Sequence, residues 1–301
     1  MRSASAIYKM VRALDTSWYE WRVNQGNNTY GLDVLKNISV SYALTSGSGI
    51  SIGNANATKC EMTLMEASAN WERMAQFTVQ FKIHLGTSQT ESEWITLGTF
   101  YTDERSEDKY GNLSIVAYDS MLMMEQYWTD KIPEQLLPAS FPITAKAWAT
   151  MIQSAELATF DDLIQLDDTV AFVGLDTTTT IRDVLKTIAA VHGGNWVMTT
   201  SETLKLIQFE NVSTGYSTLN LSIKSLENSP ALDAVTGVHL ETSAGTAMES
   251  GDDDGYVVKA ICDVSNTAGV AALCLSRLED YVFRPFEAGT AYLDPIVEIG
   301  D

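Results

Sequence analysis

Phe77-Thr-Val-Gln-Phe-Lys-Ile-His-Leu85 alternates without a break, with Phe77, Val79, Phe81, Ile83 and Leu85 in one set and Thr78, Gln80, Lys82 and His84 in the other. A period of two sends successive side chains to opposite sides of a strand. The apolar set is therefore expected in a core, and the polar set against a channel, a neighbouring chain or solvent. After a turn over 86–93 comes Trp94-Ile-Thr-Leu-Gly-Thr-Phe-Tyr-Thr102, rich in the β-branched and aromatic residues that suit a pleated surface. A charged connection over 103–111 leads to a third strand, Leu113-Ser-Ile-Val-Ala-Tyr118. Asp119-Ser120 then supplies an N-cap signal before Met121-Leu-Met-Met124, which predicts a helix to about Trp128.

Residues 7–23 carry Ile7, Tyr8, Val11, Leu14, Trp18 and Trp21 without a settled period and read as strand-like. Asn24-Gln-Gly-Asn-Asn28 reads as a turn, 35–44 as a strand and 59–65 as another alternating strand. Thr45-Ser-Gly-Ser-Gly49 lacks the strand-to-helix context, the GxGxxG spacing and the following Lys-Ser/Thr of a phosphate cradle, so it reads as a connection. Residues 1–120 thus form one β-rich unit of the size of a small barrel or sandwich.

The pattern changes after Trp128, where Pro133, Pro138 and Pro142 punctuate a connection. Thr144 caps a helix with Ala145, Trp148, Met151, Ile152 and Ala155 on one face. Thr180-Ile-Arg-Asp183 has capping-box order, Ile181, Val184, Leu185, Ile188 and Ala189 follow the helical period, and Gly193-Gly194 supplies the stop. A hairpin over 195–209 completes an α/β unit spanning 121–225. Strands over 234–241 and 256–261 then flank Gly251-Asp-Asp-Asp-Gly255, read as a plain hairpin connection, and Asn266 or Thr267 caps a helix with Val270, Leu273, Cys274 and Leu278. Residues 281–286 read as extended. The closing Asp294-Pro-Ile-Val-Glu-Ile-Gly-Asp301 calls for a partner strand from another chain or from a longer protein, so 226–301 reads as a second, incomplete β unit.

At 301 residues and 33.0 kDa, with 45% hydrophobic residues, the chain can bury a substantial core in two or three domains. A net charge of -20 and a pI near 4.4 exclude a protein that binds nucleic acid by neutralising its backbone. Acidity reads first as solubility and second as a surface that repels a passing polyanion. Cys60, Cys262 and Cys274 are odd in number and lack CxxC spacing, which suggests neither a disulfide framework nor a thiolate zinc site and fits a reducing cytosol. No apolar run has the length of a signal peptide or a membrane span, so secretion and membrane insertion are not expected.

The three histidines bound the catalytic constellations available to the chain. His84 lies on a strand's polar face, His192 at a helix C-terminus and His239 within a strand, and no HExxH or GxSxG pattern surrounds them. Asp161-Asp162 and Asp167-Asp168 could form the paired carboxylates of a glycosidase, but in so acidic a chain they read as solvated loops. The loop Asp252 to Asp254 fails as a calcium site, because setting Gly255 sixth puts Ile261 at the twelfth position, where a bidentate Glu is needed. No catalytic, cofactor-binding or metal-ligating residue is assigned, and no cofactor is expected.

Trp94-Ile-Thr-Leu-Gly-Thr-Phe-Tyr-Thr-Asp-Glu-Arg-Ser106 with Gly111-Asn-Leu-Ser-Ile-Val-Ala-Tyr-Asp-Ser-Met-Leu122 resembles the N-terminal part of tail hub proteins of phages and prophages of Gram-positive hosts. Three later segments agree in order: Thr180 through Trp196, Tyr281-Val-Phe-Arg-Pro-Phe-Glu-Ala-Gly289, and Leu293-Asp-Pro-Ile-Val-Glu-Ile-Gly-Asp301. The resemblance runs from about residue 30 to the end. It implies a mainly β, α+β architecture: two tube-like β-barrel units, 1–120 and 226–301, flanking the α/β domain 121–225. It further implies a homotrimeric, pseudo-sixfold ring at the virion tail tip or baseplate, assembled in the host cytoplasm. Its partners would be the tail tube or distal tail protein ring, the tape measure protein and a spike or fibre, with DNA passing through an acidic channel unbound. The rival expectations are a tail-associated cell-wall hydrolase and a receptor-binding tail protein.

Overall fold

The computed structural model describes residues 5–11, 17–45, 50–65, 71–86, 90–164, 166, 168–169, 177–209, 223–228, 233–264, 267–282 and 286–290. Helix α1 (Ala6–Val11) is followed by strands β1 (Ser17–Gln25), β2 (Asn28–Tyr30), β3 (Leu35–Ser41), β4 (Asn54–Ala55), β5 (Lys59–Met65), β6 (Gln76–Leu85), β7 (Ile95–Glu107) and β8 (Asn112–Tyr118). All of these strands except β4 join one seven-stranded sheet in the order β2-β1-β6-β7-β8-β5-β3, and every neighbouring pair is antiparallel. The unsettled period over 7–23 is explained by two elements rather than one strand. Tyr8 and Val11 of α1 are plugged into the sheet's core, and residues 17–23 are extended in β1.

The alternating directions make β2 and β3 run the same way. The turn between them is tight, with Val34 N and Leu35 N both donating to Gly31 O at 3.1 and 2.7 Å. The two sheet edges are thus halves of one bent strand that pairs first with β1 and then with β5. A flat sheet of this size would hold its edges roughly 29 Å apart, at ~4.8 Å per strand. A single turn cannot span that, so the sheet curls around its own core. The curl stops short of the expected closed barrel: β2 and β3 do not pair, because the turn carries the strand away from β1 before it reaches β5.

The two faces of β6 divide as the alternation requires. Phe77, Val79, Phe81 and Ile83 are fully buried, Leu85 is half-buried against the same core, and Thr78, Gln80, Lys82 and His84 lie on the other side. After β8 the expected continuous helix is instead a 3₁₀ segment (Ser120–Glu125) followed by α2 (Trp128–Lys131). Gln126 and Tyr127 are extended between them, because Ile181 N donates to Gln126 O and Trp128 N donates to Thr179 O. The backbone there pairs with the capping end of a later helix rather than with its own turn.

The remainder comprises α3 (Ala145–Ser154), β9 (Thr159–Phe160), α4 (Ile181–Val191), β10 (Gly194–Met198), β11 (Thr203–Gln208), β12 (Ile223–Asn228), β13 (Val235–Glu241), β14 (Ala247–Gly251), β15 (Tyr256–Ile261), α5 (Val270–Leu278) and β16 (Phe286–Thr290). Both predicted caps form: Thr144 Oγ1 accepts from Ala147 N, and Thr180 with Asp183 makes a reciprocal capping box. Helix α5 differs from expectation. Its cap is Gly269 at φ 79 with no side-chain hydrogen bond.

The acidic 251–255 loop is not a hairpin connection. It carries the chain from β14 across β13 to β15, so β14 and β15 flank β13, the first antiparallel and the second parallel. The crossing brings backbone onto backbone: a Cβ at Gly237 would meet Asp252 O at 2.5 Å, and one at Gly255 would meet Ala234 O at 2.6 Å. Residues 46–49, 283–285 and 291–301, on which the glycine-loop, re-entry and closing-strand readings rest, lie outside the described residues.

Among the described residues two hydrophobic cores result. One fills the curled sheet, and the other joins Ile50, Ile52 and Ala55 to the elements from Met121 to Leu278. Truncating Phe81→Ala in the first should cost about 3–5 kcal/mol, whereas Thr78→Ala on the opposite face should stay within ~0.5 kcal/mol. Urea unfolding of the two variants reads this directly. Equal losses would mean that the faces of β6 are misassigned.

Candidate functional site

Among the described residues, sheet and α/β body meet at two backbone junctions and through a side-chain hydrogen bond, Tyr101 Oη donating to Glu202 Oε1 at 2.8 Å. The first continues the β5–β8 ladder by one more pair, beyond Lys59 and Tyr118. Asp119 N donates to Thr58 O at 3.1 Å, while the Asp119 carboxylate accepts from Thr58 N at 2.7 Å and from Met121 N at 3.0 Å. Asp119, foreseen as a cap, therefore also clamps the sheet to the segment that leaves it. Burial is the largest influence on this carboxyl and raises its pKa to about 6, against the lowering effect of the Thr58 and Met121 amides and the Arg182 charge.

At the second junction the chain leaves the sheet after β3, buries Ile50 and Ile52 in the other core, and adds β4 in parallel beside β10. Asn195, fully buried, organises this insertion. Its Oδ1 accepts from Asn54 N at 2.8 Å and Asn54 Nδ2 at 3.0 Å, and its own Nδ2 donates to Ser51 O at 2.7 Å. Gly53 at φ 75 lies against α4, where a Cβ would come within 3.1 Å of Ala190 Cβ.

Between the junctions lies a cleft of about 800 Å³. Its walls include Arg73, Asp103, Tyr118, Glu125 and Arg182, over apolar surface from Met74 and Leu122. Arg182 Nε donates to Ala55 O at 2.6 Å and its Nη1 pairs with Glu125, while Arg73 Nη2 pairs with Asp103 at 3.2 Å. Arg182 belonged to a capping motif in the sequence, and nothing in its spacing signalled that it would meet Arg73 across a cleft.

A second polar cluster covers the outward face of β1 and β6. Glu20 lies 2.6 Å from His84 Nε2 and 3.2 Å from Lys82 Nζ, and Glu91 lies 3.0 Å from Lys82. Trp18 stacks on His84 at 4.1 Å, and Arg22 sits 3.9 Å over the Trp94 ring. Partial burial pushes Glu20 up, but hydrogen bonds from His84 and Lys82 outweigh it and hold the carboxyl below its ordinary value.

The structure does not bring the three histidines together. His192, fully buried, caps α4 with Nδ1 2.6 Å from Ile188 O, and His239 pairs across its hairpin with Glu249 at 2.7 Å. Asp162 accepts from Ile164 N, and Asp168 accepts from Thr144 Oγ1, so each holds local backbone or a helix start. All three cysteines are buried thiols, with Cys60 and Cys274 each pushed up to about 12, chiefly by burial. Among the described residues no group of three or more His, Cys, Asp and Glu side chains is placed to hold a metal.

No family model matches this chain, and no curated protein matches it in sequence. Solved structures do resemble it. The 43 kDa tail protein of prophage MuSo2 from Shewanella oneidensis aligns over 86% of this chain and 78% of its own, at 12% identity and a TM-score of 0.44. Prophage tail protein gp18 from Listeria monocytogenes aligns over 87% and 78%, at 10% identity and 0.46. A tail protein from Neisseria meningitidis aligns over 84% and 74%, at 11% identity and 0.48.

Asp119 makes the junction sensitive to pH. Its folded pKa of about 6 lies above the ordinary 3.8, so the folded chain holds this proton more tightly than the unfolded one. Its contribution is full below pH ~4 and is lost as pH rises through about 6, by up to roughly 3 kcal/mol. Urea unfolding from pH 4 to pH 7 should show the unmodified chain losing stability relative to Asp119→Asn across that window. Parallel profiles would contradict the assignment.

Proposed function

We propose that this chain is the structural hub of a phage or phage-like tail tip or baseplate. Three copies form a pseudo-sixfold ring joining a hexameric tail tube, or distal tail protein ring, to a threefold spike or fibre. The tape measure protein contacts it during assembly, and the chain acts as a scaffold rather than an enzyme. The division into 1–120, 121–225 and 226–301 belongs to this reading, as does a Gram-positive host.

The observation that carries it is where the ordered motifs fall on the fold. The first is β7, the second is β8 running into the Asp119 clamp, and the third is α4 with β10, which receives the inserted β4. Together they make a curled, tube-like sheet locked to a helical body. That is what a ring subunit needs: a stiff wall segment with a separate body to carry neighbours. The excess of 39 acidic over 19 basic residues supports a lumen that repels DNA, since Lys or Arg there would bind its phosphates and slow passage.

Sedimentation of the purified chain combined with electron microscopy tests this. The expected particle has three times the chain mass of 33.0 kDa and a central hole. A strict monomer at all accessible concentrations would overturn the ring. Release of soluble fragments from peptidoglycan would favour the hydrolase instead.

A further inference from the structure

The junction cleft is built with donors that the chain itself does not use. Arg73 directs Nη2 at Asp103, and Arg182 gives Nε to Ala55 O and Nη1 to Glu125, which leaves further N–H groups of each fork without a partner among the described residues. Asn56 also lines the cleft, and its Nδ2 is buried without a hydrogen-bond partner, a costly arrangement for a polar donor. Met74, which also lines the cleft, sits in the left-handed region at φ 67, where a side chain other than glycine is strained. Unspent donors over an apolar floor of Met74 and Leu122 suit a carboxylate carried on a polypeptide. A nucleic-acid strand would bring a run of phosphates to walls that also hold Asp103 and Glu125, within a chain of net charge -20, whereas a polypeptide can bring a single carboxylate to the two guanidinium groups.

The chain also presents an element of matching chemistry. Beyond Thr102, β7 runs past the end of β6, and Glu104, Arg105, Ser106 and Glu107 are all exposed, with β8 on one side only. The tip of this arm is rigid: the Asp108 carboxylate accepts from Tyr110 N at 2.7 Å, Asn112 N at 3.0 Å and Asn112 Nδ2 at 2.7 Å. It holds Tyr110 outward at 75% exposure. Neither Glu104 nor Glu107 makes an ion pair among the described residues. The arm cannot fold back into its own cleft. Asp103, in the cleft wall, is seven residues before Tyr110, and at about 3.4 Å per residue the paired strands hold the tip roughly 20 Å away.

We propose that the junction cleft receives the β7–β8 arm of a second copy of this chain. Glu107 meets the Arg73 and Arg182 forks, Tyr110 packs on Met74 and Leu122, and a carbonyl of the tip satisfies Asn56 Nδ2. Cleft and arm are different surfaces, so the contact is heterologous and generates a ring when its rotation closes. This inference rests on the ring reading and names the contact that would build it.

Charge reversal on the full-length chain tests it. Arg73→Glu and Glu107→Arg both alter exposed side chains, so far-UV circular dichroism and the melting temperature should stay unchanged. Each variant should weaken self-association at least tenfold by sedimentation, and the two changes combined in one chain should restore it. Mixing Arg73→Cys with Tyr110→Cys chains under oxidation should give a disulfide-linked dimer that neither variant forms alone. Rings that assemble normally from both reversal variants, with no mixed dimer, would overturn the arm-in-cleft contact and leave the ring reading standing. A chain that never self-associates would overturn both.

Discussion

The side-chain amide of Asn195 holds a strand that belongs, by chain order, to another part of the molecule. Residues 50–57 lie between β3 and β5, two adjacent strands of the curled sheet, yet Ile50, Ile52 and Ala55 are buried in the α/β core. Burying such a detour would leave unpaired backbone groups unless each found a partner. Asn195 supplies two of these backbone hydrogen bonds itself, to Asn54 N and Ser51 O, and a third to the Asn54 side chain, and Gly53 N donates to Gly194 O at 2.9 Å. Among the described residues the sheet and the body are therefore joined through the chain at Asp119 and through β4, with the Tyr101–Glu202 hydrogen bond as a side-chain contact between them. A hinge at Asp119 alone would let them swing, whereas two attachments fix their relation.

That fixed relation gives the junction cleft its meaning. Its walls come from both sides, with Arg73 and Tyr118 from the sheet region and Glu125 and Arg182 from the body, so its width is set by the same two attachments. The outward face of β1 and β6 is organised by a different principle. Its charged side chains are satisfied by one another and by flanking tryptophans, so it is settled without a partner. The cleft keeps a buried donor unpaired, and this difference separates a finished surface from an unfinished one.

Much of this was legible in the residues. The alternation over 77–85 gave the two faces of β6, and the caps at Thr144, Thr180 and Asp119 formed where local chemistry asked for them. What the sequence hid depends on distant pairing. The two-residue strand β4 has no period to detect, and its partner lies more than a hundred residues away. The 3₁₀ segment replaced a helix because Gln126 and Trp128 bond to the start of α4. The crossover at 251–255 looked like a hairpin because flanking strands say nothing about whether they pair with each other or across a third. Gly237, Gly251 and Gly255 were its only local trace. The candidate site was least visible of all, since Arg73, Asn56 and Arg182 meet only after both junctions have formed.

Double attachment has a thermodynamic consequence. If β4 and Asp119 lock the two cores into one cooperative unit, calorimetry of the unmodified chain should show a single transition, with calorimetric and van't Hoff enthalpies agreeing. Asn195→Ala, which leaves the Asn54 and Ser51 groups without their partner, should split it into two transitions as sheet and body uncouple. Two independent transitions in the unmodified chain, or a single unchanged one in Asn195→Ala, would contradict the account.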